Sequence, residues 1–221
     1  MGDSDTITAG ADVALPEDGR AARSRRTRTA VVDALLALQE AGNLTPTGQE
    51  VAARAGVALR TVFGHFSDME TLWAEAGQRE LVRLQQLADV IAPALPLEDR
   101  IARFAASRAR VLERLLPVMR AARLREPTSP ALMANRALFI SVGDQEVREV
   151  FATELAGLPD DAARRLLDTV YLAAAGPTWE VLRHDRGRDR EQAEQVVRQT
   201  LTALLAPLAV RRAAAPAPRA D

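Results

Sequence analysis

This chain offers catalysis few places to happen. It has two histidines, His65 and His184, and no cysteine. Thiol nucleophiles, disulfides and Cys-based zinc sites are thereby excluded. His184 stands in the charged string RHDRGRDR (183–190), and His65 in TVFGHF (61–66). No HExxH, GxSxG or Gly-rich phosphate loop accompanies either. The paired acids Asp160-Asp161 fall at an expected helix start, where capping accounts for them. The reading is of a non-enzyme with no metal and no cofactor. TVFGHF itself, directly after Arg60, mixes a cation, aromatics and a glycine. Those residue types on a short helix suit nucleic-acid recognition, because a guanidinium reaches guanine edges and apolar groups meet the thymine methyl.

The elements that would position these residues are legible in residues 47–72, TGQEVAARAGVALRTVFGHFSDMETL. Thr47 and Glu50 have capping-box spacing, which places a helix start at 47. Ala55-Gly56-Val57 reads as a tight turn, with Gly56 free to take positive φ. A second short helix follows over 58–64, and Ser67 with Glu70 repeats the capping box for the next one. Two short helices around a Gly-containing turn fit a helix-turn-helix, and equally an ordinary αα corner, which many all-α proteins contain. Val51, Ala52, Ala55, Val57 and Val62 would pack inward, leaving Leu59, Arg60, Phe63 and Gly64 on the outer face.

Charge agrees with that placement. The chain is nearly neutral at −1, yet residues 19–66 carry seven arginines against three acids, a local net of +4. A local positive surface inside a neutral chain suits a phosphate-bearing partner. Around this segment, the pattern is all-α. Apolar residues recur at helical spacing from about 19 to 207, and no alternating run reads as a strand. The expected helices are 19–42, two short ones at 47–54 and 58–64, one from 69 that stops before Pro93, one that Pro117 breaks or kinks, 128–155, 160–184 and 189–207. Residues 1–18 hold five acids and no base, and 208–221 is Ala/Pro-rich. Both read as disordered tails. The domains are then a helix-turn-helix unit at 19–68 and a larger helical unit at 69–207. No signal peptide or membrane-length apolar run is present, so a cytoplasmic protein without a membrane partner is expected.

The string T..EVA..AGV...TVF.HF.D.E.L, preceded by an Arg-rich helix that ends in Gly, closely resembles the DNA-binding domain of the TetR (tetracycline-repressor) family over residues 23–72. The resemblance implies that helix 58–64 enters the major groove. Leu59, Arg60, Phe63 and Gly64 would face bases or backbone, and Thr47, Thr61 and His65 would meet phosphates. Arg26 and Arg28, with Arg23 and Arg25, would reach neighbouring phosphates or the minor groove. There are departures from the family pattern. Ala58 replaces a capping Ser, Phe63 replaces a Tyr, Gly64 stands where a large side chain is common, and Met69 replaces a Lys. Arg60 is left as the one charged side chain of the helix able to read a base.

The same resemblance implies a homodimer on a palindromic double-stranded DNA operator, and a small-molecule effector held in the second domain. Two half-sites in successive major grooves lie ~34 Å apart, so two copies are needed. The broad apolar stripes at 160–184 and 189–207 suit a four-helix bundle across a two-fold axis. Candidate ligand-lining residues are Phe104, Met119, Met133, Asn135, Phe139, Tyr171 and Trp179, with Trp73, because aromatics, Met and isolated polar groups line such sites. Few charges fall on the apolar faces, which favours an apolar or weakly polar ligand. Gly176-Pro177 should interrupt a helix and so reshape either the ligand site or the dimer interface. The function expected is a ligand-responsive transcriptional regulator, a repressor by family default. The alternative is a helical small-molecule-binding or scaffold protein whose DNA module has weakened.

Overall fold

In the computed structural model the structure describes residues 19–213. The acidic stretch 1–18 and residues 214–221, read above as tails, lie outside the described residues. Among the described residues there is no strand. The helices are α1 (Gly19–Glu40), α2 (Gly48–Ala55), α3 (Leu59–His65), α4 (Met69–Leu87), α5 (Leu97–Arg123), α6 (Pro130–Val150), α7 (Ala152–Leu155), α8 (Asp160–Ala173), α9 (Gly176–Glu180) and α10 (Arg190–Ala213).

Local chemistry accounts for most boundaries. Thr47 and Glu50 form the expected capping box, and Gly56 closes α2 in the left-handed region at φ 67°. At α4 the expectation needs correction. The cap is Asp68, whose carboxylate accepts from Thr71 N at 2.7 Å. Ser67 only supports it, and Glu70 turns away to accept from Ser129 Oγ and Ala131 N, at 2.7 and 3.2 Å. A carboxylate at the cap position is the stronger acceptor for a helix N-terminus. Glu70 thereby ties α4 to the start of α6.

Of the break or kink expected at Pro117, the break does not occur. Pro117 lies inside α5 and does not end it. It removes one backbone bond, but Leu115, Leu116 and Ala121 around it are buried, and packing holds the helix. α10 likewise runs through Pro207 to Ala213, beyond the end expected at 207. Pro177 does interrupt. The chain leaves helical geometry at Ala174 and Ala175, and Pro177 occupies the first turn of α9, where a missing N–H is tolerated. The segment expected as one helix over 128–155 divides at Phe151 into α6 and α7, because that ring turns into the core against Phe104, centroids 5.3 Å apart.

Packing forms two apolar clusters with α4 shared between them. One joins α1, α2 and α3 through Val31, Leu35, Val51, Val62 and Phe66, and takes in Leu72, Trp73 and Ala76 of α4 with Ala121 and Leu132. The other gathers α5, α6, α8, α9 and α10 around Phe104, Leu112, Trp179 and Leu201, with Leu84 from the far end of α4. The helix-turn-helix unit therefore has no free boundary at 68. Its core continues into the first three turns of α4.

Candidate nucleic-acid interface and internal cavity

α3 is seven residues long, and its two faces differ sharply. Val62 is fully buried and Phe66, just past the helix end, is 1% exposed. Leu59, Arg60, Phe63 and Gly64 are exposed, while Thr61 and His65 are half-buried. The outward face is thus one cation between two large apolar groups, Leu59 and Phe63, which are 40% and 44% exposed. Isolated surface apolar residues need no account, but a pair flanking an arginine on one short helix forms a contact surface. Gly48, not singled out in the sequence, supports it. A Cβ there would stand 3.1 Å from the Phe63 ring and 3.3 Å from Leu59 Cδ1. The missing side chain lets α3 lie against the first turn of α2. At Gly64 nothing lies within 4 Å of the corresponding Cβ position, so the surface is open there.

Two of the expected phosphate contacts are otherwise engaged. Arg28 donates to Glu75 Oε2 through Nε at 2.8 Å, donates a further bond to the His65 carbonyl, and lies over the Phe66 ring at 4.2 Å. It clamps α1 to α4 and to the end of α3, so its guanidinium is committed within the protein. Thr47 spends both of its donors on Glu50 Oε2, through N–H and Oγ, each at 2.7 Å. Those bonds, the backbone one foremost, hold the Glu50 carboxyl below its ordinary range. Arg26 is exposed on the outer face of α1, as are Arg23 and Arg25.

A second feature lies where α1, α4, α5, α6, α8 and α9 converge. They line a half-open cavity of about 280 Å³, just below the ~300–1,000 Å³ usual for ligand sites. Met119, Asn135, Phe139 and Tyr171 line it, as does Trp73. Phe104, Met133 and Trp179 do not. Phe104 is core, Met133 faces solvent at 48% exposure, and Trp179 is 1% exposed with its Nε1 donating to Glu113 at 2.8 Å. Aromatic or Met identity alone cannot separate wall from core. Asn135 is fixed, its amide donating to Ala74 O at 3.2 Å and filling the space beside Gly77. Gly176 has the same role for Met119, whose Cε would lie 2.4 Å from a Cβ there. Residues 175–178 form part of the wall, so the Pro177 interruption shapes the cavity.

The polar wall residues Gln39, Glu80 and Arg108 went unnoticed in the sequence, since nothing distinguishes them from surface positions. Arg108 donates to the Ala174 carbonyl at 3.2 and 3.3 Å, capping the broken end of α8, and pairs with Glu146 at 3.4 Å. Burial pushes the carboxyls of Glu80 and Glu146 up, and burial also raises the Tyr171 hydroxyl. No cluster of His, Asp or Glu among the described residues is arranged to hold a metal ion, and no described helix is long and apolar enough to cross a membrane.

A helix-turn-helix unit whose core runs through α4 into a helical bundle with a cavity defines a class of all-α fold. The solved structures make this specific. A provisionally assigned TetR-family transcriptional regulator from Mesorhizobium loti MAFF303099 superposes with a TM-score of 0.63 at 22% identity, covering 84% of this chain and 98% of its own. A transcriptional regulator from Rhodococcus sp. Rha1 superposes with a TM-score of 0.56 at 21% identity, covering 83% and 96%. The chain therefore has the fold of the TetR-family regulators over nearly the whole of those proteins. No family model matches the sequence, and neither does any curated protein.

Proposed function

We propose that this chain is a TetR-family transcriptional regulator: a sequence-specific DNA-binding protein of the cytoplasm that acts as a homodimer and leaves its operator when a small apolar or weakly polar molecule occupies the cavity. One observation carries the reading. α3 buries Val62 and holds Leu59, Arg60 and Phe63 outward over a capped α2, the arrangement by which a recognition helix reaches base edges. Residues 19–68 would supply DNA contact, and 69–207 ligand binding and dimerisation. Arg60 would read a guanine, and Leu59 and Phe63 would meet thymine methyls or sugar. Gly64 would permit close backbone approach, with Thr61, His65 and Arg26 at the phosphates. The test is selection of bound sites from random duplex DNA, followed by anisotropy titrations across salt. A palindromic consensus, bound with a steep salt dependence, is expected; recovery of no consensus would overturn the proposal.

A second reading has observations of its own. α3 has no side-chain cap at Ala58, Phe63 lacks a hydroxyl for a phosphate, and Met69 brings no charge. A helical ligand-binding protein with a weakened DNA module would bind random and selected DNA equally.

A further inference from the structure

Three helices meet around one buried acid at the α1 end of the cavity. Glu80 of α4 is 2% exposed. Its Oε1 accepts from Arg114 Nε of α5 at 3.3 Å, and Arg114 Nη2 donates at 2.7 Å to Glu40, the last residue of α1. Its Oε2 lies 3.8 Å from Arg83 Nη1, too long for a hydrogen bond. Arg83 in turn donates to Asp33 of α1 at 2.5 Å. Glu80 Oε2 accepts no hydrogen bond among the described residues, and neither does Oε1 of Gln39, the 1%-exposed neighbour of Glu40. Both side chains line the cavity. Buried acceptors without donors carry a full desolvation penalty, which a ligand's donor would relieve.

The rest of the wall constrains the ligand's charge. Arg108 faces Glu146 at 3.4 Å, Arg123 faces Glu180 at 2.5 Å and Arg136 faces Glu126 at 3.1 Å. Every charged group of the wall is thus already opposed by another. At the buried end of the cavity, beside Glu80 and the Arg108–Glu146 pair, an ionic ligand would either stay unpaired out of water or break an existing pair. Between them the wall is largely apolar, with Leu81, Leu84, Leu115, Phe139 and Ile140, interrupted by Asn135, Tyr171 and Trp73, whose indole N–H has no acceptor among the described residues.

We propose that the effector is a neutral, largely apolar molecule with a hydrogen-bond-donating head, such as a hydroxyl, that this head docks on Gln39 and Glu80, and that Glu80 is the positioning residue through which an occupied cavity loosens α1. The inference rests on the cavity being the effector site proposed above. A ligand donor on Glu80 Oε2 draws the carboxylate's charge away from Arg114 on Oε1 and from Arg83 beyond hydrogen-bond reach, whose other ends hold Glu40 and Asp33 of α1. Because α1 shares its core with α2 and α3, loosening it changes how α3 is presented. An effector that favours this looser state shifts the population away from the DNA-bound one.

The test uses the full chain with 1-octanol, 1-decanol and 1-dodecanol, each beside its methyl ether, carboxylate and amine of equal length. Binding is read by thermal shift, and α1 by hydrogen exchange across residues 33–40. At least one alcohol should bind saturably, at least about tenfold tighter than its ether, which cannot satisfy a buried acceptor, and tighter than its ionic analogues. Exchange in α1 should rise on binding. Gln39→Leu leaves the ion pairs in place and should abolish the preference of alcohol over ether. Glu80→Gln should raise α1 exchange before any alcohol is added and blunt its response. Ile140→Trp, which fills the cavity, should abolish all binding. The proposal is overturned if no alcohol binds, if ether or an ionic analogue binds as tightly, if Gln39→Leu keeps the preference, or if α1 exchange does not respond. The outcomes separate from those of the regulator reading. Alcohol-responsive α1 with no selected DNA defeats that reading alone, and a selected operator with no alcohol preference defeats this inference alone.

Discussion

Two arginines of the N-terminal unit look alike in sequence and differ in their surroundings. Arg60 is exposed on α3, whereas Arg28 is bound to Glu75 and His65 and stacked on Phe66. Arg60→Ala should reduce discrimination between the selected operator and random duplex by about 10- to 100-fold, since a bidentate base contact contributes about 1–3 kcal/mol. Its melting temperature should stay within a degree or two of wild type. Arg28→Ala should do the reverse. It leaves the partly buried Glu75 without its cation and removes a cation–π contact, for a loss of about 1 kcal/mol and several degrees by calorimetry, with the specificity ratio preserved. If Arg28→Ala instead melts like wild type and loses DNA, the clamp assignment is wrong. The sequence singled out both residues because arginine type and position were its only signals. The partner that removes Arg28 from the surface is 47 positions away, a distance at which no local pattern speaks. Glu80 and Gln39 were illegible for the same reason, since their burial is created by α5 and α6 packing over them.

At the scale of elements, what could be read was whatever has a local cause. The capping box at Thr47, the turn at Gly56, the inward and outward faces of α3 and the break at Pro177 all follow from residues within a turn of each other. Pro117 and Pro207 carry the same local signal, yet their helices continue, because buried neighbours outweigh one lost backbone bond. The caps also yield a pH dependence. Backbone hydrogen bonds from Thr47 and Thr71 hold the carboxyls of Glu50 and Asp68 below their ordinary values of 4.5 and 3.8. A carboxyl lowered in the folded state contributes stability that is complete above its ordinary value and is lost as pH falls through the folded value. Melting temperature should therefore decline as pH drops below about 4, with α2 and the start of α4 exchanging fastest. Thr47→Ala should cost about 1 kcal/mol at neutral pH and, because its backbone N–H still donates to Glu50, change the acid limb only slightly. Glu50→Gln combined with Asp68→Asn removes both titrating carboxyls and should flatten the acid limb, and an unchanged limb in that double variant would show that the caps do not govern it.

For the whole molecule, the question is how one short helix becomes a selective reader. On the regulator reading proposed above, a seven-residue helix with one arginine touches too few bases to select a site alone, and discrimination would come from two copies in successive grooves, ~34 Å apart. The surface proposed to hold two copies together is where α8 and α10 pack side by side. Their inner faces carry Leu167, Val170, Val197 and Leu201, all buried within the chain. Their exposed apolar residues are Val196, 37% exposed, and Leu172, 63% exposed, which also borders the cavity. Two α8–α10 pairs related by a two-fold axis would bury their outer faces in a four-helix bundle. Wild type should sediment as a dimer, and its melting temperature should rise with protein concentration, as mass action requires when association stabilises the fold. Val196→Arg places two like charges near the axis and removes no internal core contact. It should sediment as a monomer with a concentration-independent melt, keep the fold by circular dichroism, and bind the full palindrome no better than an isolated half-site. Dimers that persist in Val196→Arg, or a wild type that is monomeric at micromolar concentration, would place the two-fold elsewhere or remove it.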